Sequence, residues 1–145
     1  MRFWDASAVL PLFIEEAGTE LVRSWLSDDG SMTLWALTRL EVVSAIERRA
    51  REGHLNGSQR VWALDTCERL IKAAHEVSDV LATRSRALPL LGRYPLRAAD
   101  AAQLGAALVS AEADVSSLQF VALDRRLAEA ARREGFRVLT WPDEA

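Results

Sequence analysis

Cysteine is almost missing: Cys67 is the only one in 145 residues. A single thiol excludes an internal disulfide framework, and together with His54 and His75 it makes no spacing that a zinc site uses. Cys67 therefore reads as a small core residue. Lysine is as scarce, with Lys72 alone, so nearly every cation is an Arg and the formal net charge is -3. That balance argues against coating nucleic acid through bulk electrostatics, although the planar guanidinium leaves local phosphate-binding patches open. Arg48, Arg49 and Arg51 form one such cluster, and Arg125, Arg126, Arg132 and Arg133 another. No apolar run is long enough to span a bilayer, and Met1-Arg2-Phe3-Trp4-Asp5 reaches an acid too soon for a signal peptide. We therefore expect no membrane association and a cytoplasmic location.

What is present is the composition of a folded globular chain, half of it hydrophobic. The length suits one domain over 1–145 with a sizeable core. Arg2–Asp5 reads as a very short buried strand, and a helix follows whose N-terminus falls at about Ala6 to Ala8, since Pro11 is tolerated only near a helix start. Gly18–Asp28 reads as a helix and Asp28-Asp29-Gly30 as a solvated turn. Ser31–Ala36 reads as a strand, after which Leu37, Leu40, Val43, Ile46 and Ala50 fall at helical spacing up to Gly53. Gly57–Glu76 is a further helix, carried by Val61, Leu64, Leu70 and Ile71, and Glu76–Ser78 a brief strand before a helix over Val80–Leu91. We expect Gly53–Arg93 to be a helix-rich excursion from the sheet. Leu118–Leu123 is the clearest strand and ends at Asp124; a helix over Arg125–Glu134 stops at Gly135, and Phe136–Trp141 is a final strand. Strands alternating with helices predict an α/β domain with a mainly parallel sheet. Trp4, Trp25, Trp35 and Trp62 lie on apolar element faces and read as core or interface.

The stretch Leu96–Leu108 organises the rest. It is so rich in Ala and Leu that as a helix it is apolar on nearly every side, which predicts burial, yet it contains Asp100. A buried carboxylate is costly without a cation or several donors, and Arg97 is the only local cation. Three more acids share a pattern: Asp5 follows the first strand, Glu41 lies in the first turns after the second, and Asp124 follows the strong strand near the C-terminus. In a parallel sheet these positions meet at the carboxyl edge, where α/β folds place ligands. Four carboxylates around one cleft would repel one another without a cation, and hard oxygen ligands suit Mg²⁺ or Mn²⁺. Each acid also has a structural reading. Asp5, Asp100 and Asp124 could cap or favour helix N-termini, and Thr38-Arg39-Leu40-Glu41 has the form of a capping box.

At these residues the chain resembles PIN-domain proteins, and among them the VapC-type ribonuclease toxins of bacterial toxin-antitoxin pairs. The matching pieces are Asp5-Ala6-Ser7-Ala8, Thr38-Arg39-Leu40-Glu41, Leu96 through Asp100 to Leu104, and Leu123-Asp124-Arg125-Arg126-Leu127 followed by Ala130, Ala131, Gly135 and Val138. The resemblance implies a three-layer α/β/α fold and a Mg²⁺- or Mn²⁺-dependent endoribonuclease. It makes Asp5, Glu41, Asp100 and Asp124 the acidic quartet that holds metal, with Ser7 and Thr38 as polar support and Arg97 near phosphate. It also implies a homodimer, an RNA substrate and a cognate antitoxin occupying the cleft. Two positions depart from the pattern: Gln103 stands where related chains often carry His, and Leu127 where some add a further acid. A phosphoacceptor receiver domain would need paired acids by the first strand and a Lys near the site, which Asp5 and Lys72 do not supply. A PIN-like module that binds RNA or protein without cutting is the remaining rival.

Overall fold

The computed structural model describes residues 1–143. β1 (Arg2–Trp4), β2 (Met32–Trp35), β3 (His75–Val77), β4 (Gln119–Val121) and β5 (Arg137–Leu139) form one sheet in the order β3-β2-β1-β4-β5. Every pairing is parallel. Parallel neighbours need long crossovers, and helices supply them. Successive side chains of a strand face opposite ways, so Phe3 and Trp4 feed two different cores. Trp4, with Leu34 and Val121, packs under α1 (Ala6–Val9), α2 (Thr19–Asp28), α3 (Thr38–Arg51) and α4 (Gly57–Ala73). Phe3, with Trp35 and Phe120, packs under α5 (Val80–Arg93), α6 (Ala98–Ala111) and α7 (Arg125–Arg133). The result is the expected three-layer α/β/α arrangement on a parallel sheet.

Local differences from the sequence reading have physical causes. The Gly53–Arg93 region is not wholly outside the sheet: α4 ends at Ala73 and β3 forms its edge. As an edge strand, β3 buries only Val77 and so carries little hydrophobic signal. Pro11 sits in a single 3-10 turn, Leu10–Leu12, after a four-residue helix. The buried stripe of α3 is Thr38, Val42, Ala45 and Ile46, which leaves Leu37 and Leu40 exposed. α4 likewise turns Ala63, Cys67 and Ile71 inward and leaves Val61 and Trp62 half-exposed, so Trp62 is not core. Trp4 and Trp35 are buried and Trp25 partly so. The turn acid Asp28, although exposed, receives the Arg2 guanidinium at 2.8 Å.

The Ala-rich helix α6 is buried along one continuous stretch from Gln103 to Leu108. Gly105 permits this, since a Cβ there would lie 2.8 Å from the Thr83 carbonyl oxygen of α5. The fully exposed residues of α6 are Ala98 and Ala99 in its first turn, and Asp100 lies at that boundary. No helix among the described residues is long and apolar enough to cross a membrane.

Candidate active site

The strand order reverses direction between β1 and β4, because the chain runs outward from β1 through β2 to β3 on one side and then returns from β3 to place β4 and β5 on the other side of β1. Loops diverging at such a point open a crevice at the carboxyl ends of the strands. Asp5 and Asp124 stand on its two sides: Asp5 directly follows Trp4, the last residue of β1, whereas β4 stops at Val121, short of the strand end expected at Leu123, and Asp124 lies three residues beyond it.

Asp5 is held tightly. Its backbone N–H continues the ladder to the Val121 carbonyl at 2.9 Å, and its Oδ2 accepts from the Ser7 N–H at 3.1 Å and from the Ser7 hydroxyl. The same Ser7 Oγ accepts the Leu123 and Asp124 N–H groups at 3.0 and 3.1 Å. One serine thus ties the β1 exit to the β4 exit. Asp5 does cap α1, as its position allowed, but its Oδ1 takes no hydrogen bond among the described residues.

Glu41 is not part of a capping box. Thr38 is the first residue of α3, with Leu37 at the cap position, and the buried Thr38 hydroxyl turns away to Gln103. The Gln103 amide donates to Thr38 Oγ1 at 3.0 Å and to Glu41 Oε1 at 3.1 Å. Gln103 is 0 % exposed, so this polar side chain in an apolar helix is accounted for by the two contacts. The sequence reading saw Gln103 only as a departure from a family pattern. The available signal was its place three residues after Asp100, which puts both on one helix face.

Asp100 occupies the first turn of α6, with Arg97 at the cap position. Asp124 caps α7, its Oδ1 accepting from Arg126 and Leu127 N–H at 3.0 and 3.1 Å. Arg97, Asp100, Asp124, Arg125 and Arg126 line one open cleft of about 570 Å³. The second arginine cluster therefore divides: Arg125 and Arg126 reach the cleft, whereas Arg132 and Arg133 pair with Glu129. Arg48, Arg49 and Arg51 lie at the far end of α3, roughly 10–15 Å along the helix from Glu41 at 1.5 Å per residue, and do not line the cleft.

Asp5 and Glu41 lack a countercharge. Burial pushes the Asp5 carboxyl up to about 7, the Ser7 bonds oppose this, and Glu41 and Asp100 push it further. Burial raises Glu41, with Gln103 opposing and Asp100 adding. Burial also raises Asp100, reinforced by Asp124 and opposed by Arg97. Each of Asp5, Glu41 and Asp124 keeps one carboxylate oxygen that takes no hydrogen bond among the described residues. No three acid, His or Cys side chains among those residues are close enough, as placed, to enclose an ion together. Mg²⁺ does not require such a cage, since it usually takes one or two carboxylates and keeps several waters. The donor chemistry fits a hard divalent cation.

The chain matches no protein-family model, and no curated protein matches it at a significant level. Solved structures do. FitAcB from Neisseria gonorrhoeae superposes with a TM-score of 0.66 at 16% identity, covering 96% of this chain and 96% of that one. FitAB bound to an IR36 DNA fragment gives 0.68 at 16% identity, covering 100% and 99%. The fold is PIN-like. PAE2754 from Pyrobaculum aerophilum shares this PIN-like arrangement with a TM-score of 0.66 at 19% identity, over 94% of this chain and 87% of that one.

Proposed function

We propose that the chain is a Mg²⁺- or Mn²⁺-dependent endoribonuclease and the toxin of a toxin-antitoxin pair. The observation that carries this reading is the approach of Asp5, Glu41, Asp100 and Asp124 to one crevice with no cation to offset the burial of Asp5, whose carboxyl is pushed to about 7. The resemblance of the four motifs and the PIN-like fold support it.

Asp5, Glu41 and Asp100 hold the metal in this reading, with Asp124 completing the site. When bound, the ion lowers the pKa of water and offsets charge developing on the phosphoryl oxygens. The chain's own residues do the positioning. Ser7 fixes Asp5 against the β4 exit, so the carboxylate does not reorganise during the reaction. Gln103, itself bonded to Thr38, holds Glu41 Oε1, and Oε2 takes no hydrogen bond among the described residues. Asp124, anchored through Oδ1, has Oδ2 free to accept a hydrogen bond from the attacking water. Arg97 draws phosphate to the rim. A homodimer and an antitoxin belong to the same reading, and the apolar residues left in solvent on α5, Leu81, Leu88 and Leu91, are surface for a partner to cover. DNA contact of the kind seen with FitAB is assigned to the antitoxin, since this chain carries a net charge of -3.

The test is cleavage of a cellular RNA pool by antitoxin-free protein with Mg²⁺ or Mn²⁺, beside EDTA and a folded Asp100→Asn variant. Discrete cuts lost in both controls are the expected outcome; cuts that survive Asp100→Asn overturn the assignment. The separation of the acids as placed favours one rival, a PIN-like module that binds without cutting. Absence of both cleavage and calorimetric Mn²⁺ binding selects it.

A further inference from the structure

Asp124 is common to two cavities of opposite character. It lines the arginine cleft and also a largely apolar cavity of about 340 Å³ formed with Ser7, Pro11, Gly18, Leu123 and Trp141, and Arg125 extends beyond the cleft to a further cavity that it shares with Trp141. The Trp141 indole is fixed there by its Nε1–H donating to the Leu123 carbonyl at 2.9 Å. Gly18 makes the close approach possible, since a Cβ would stand 2.4 Å from Leu123 Cδ1 and 3.2 Å from the indole ring. The other acid at this cavity, Glu16, is paired with Arg49 at 3.1 Å, so the lining presents little free negative charge beyond Asp124.

The arginines of the cleft are differently disposed from their neighbours. Arg132 and Arg133 on the same helix are held by Glu129, and Arg93 by Glu134. Arg97, Arg125 and Arg126 make no ion pair with a carboxylate among the described residues and face the cleft. A ribonucleotide has an apolar, stackable base and a doubly hydrogen-bonding phosphate, which Arg forks match. A strand laid across Asp124 sets one kind of group in each cavity.

We propose that the RNA straddles Asp124, with the nucleobase beside the scissile phosphate stacked in the Gly18–Trp141 cavity and the phosphates beyond the cut on Arg97, Arg125 and Arg126. This rests on the nuclease reading of the cleft. It makes the substrate single-stranded, because a base in that cavity has left its stack, and it makes Trp141 the contact that selects the base.

The experiment is anisotropy of short fluorescein-labelled single-stranded RNAs with the full chain in EDTA, titrated at several salt concentrations. Trp141→Ala is expected to lose affinity about 5- to 150-fold, the range of one base–aromatic stack, at an unchanged salt slope. The double variant Arg125→Gln/Arg126→Gln is expected to flatten the slope of log K against log salt by about 1.4, from about 0.7 per single-strand phosphate contact. With the wild-type chain, one abasic position in the RNA is expected to reproduce the Trp141 loss, so the result holds even if Trp141→Ala folds poorly. An abasic scan with no such position, or an unchanged salt slope in the arginine variant, overturns the inference while RNA binding itself stands. A wild-type chain that binds and cleaves no RNA overturns the nuclease reading and this one together. Arginine-dependent binding of polyglutamate but not of RNA would assign the arginines to a protein partner.

Discussion

Arg2 and Asp5 sit near the two ends of one strand, and both are buried, at 9% and 3% exposure. Arg2 is met on every side: its guanidinium donates to the Trp25 carbonyl at 2.7 Å, Asp28 at 2.8 Å and Gln119 at 2.9 Å. Asp5 is met by Ser7 and then by two more acids, Glu41 and Asp100, which raise its pKa further. A buried charge at the amino edge of the sheet is thus compensated, while its counterpart at the carboxyl edge is aimed at something the chain does not supply. The first pattern belongs to structure, and the second is how ligand-binding carboxylates differ from structural ones.

The largest effect that would break this contrast is on activity. Asp100→Asn is expected to lower the initial rate of RNA cleavage at least about a thousandfold, several kcal/mol of transition-state stabilisation, while Asp28→Asn leaves it unchanged. Equal losses in both would remove the distinction between the edges.

Next comes pH. In the folded chain Asp5 titrates near 7 rather than at 3.8, so between these values the native state binds more protons than the unfolded one. Its stability contribution is therefore best below the unfolded pKa and is lost as pH rises through 7, a penalty on the order of a few kcal/mol. In EDTA, Asp5→Asn is expected to raise the melting temperature at pH 8 and to have little effect at pH 4. A variant that melts lower at pH 8 refutes the uncompensated charge.

Gln103→Leu removes the donor to Glu41 and leaves the Thr38 hydroxyl buried without its partner. We expect Mn²⁺ affinity by calorimetry to fall about 10- to 100-fold, the usual effect of losing a residue that orients a ligand. An unchanged affinity would make Gln103 a packing residue only. Smallest of all, Arg2→Met is expected to cost about 1–2 kcal/mol in urea unfolding, because Asp28 is largely solvent-exposed and screened. Cleavage per folded molecule should be unaltered.

Much of this was legible because the strands are short and abruptly ended. Phe3-Trp4 and Phe120-Val121-Ala122-Leu123 are apolar runs that each stop at an acid, and this marks Asp5 and Asp124 as residues of the strand exits, although β4 itself ends at Val121. β3 was misplaced by a residue because an edge strand with two exposed positions has no alternation to read. The helices were found, but the buried faces of α3 and α4 were misjudged, since Thr38, Ala45 and Ala63 fill space that apolar counting assigned to Leu40 and Val61. The capping-box reading of Glu41 failed for a different reason: local pattern cannot show that the Thr38 hydroxyl has a better partner 65 residues away.

By itself the sequence determined the parallel α/β class and the station of each acid relative to its strand or helix, because both follow from local periodicity and from where a run of apolar residues stops. Only the tertiary structure decided the strand order, the bridging of Asp5 and Asp124 through Ser7, and the commitment of Gln103 to Glu41. It also made Asp124 common to the cavity that holds Trp141 and the cleft that holds the unpaired arginines. These are contacts between segments far apart in the chain, and they form where the packing of two cores on one sheet brings those segments together, which no local pattern encodes.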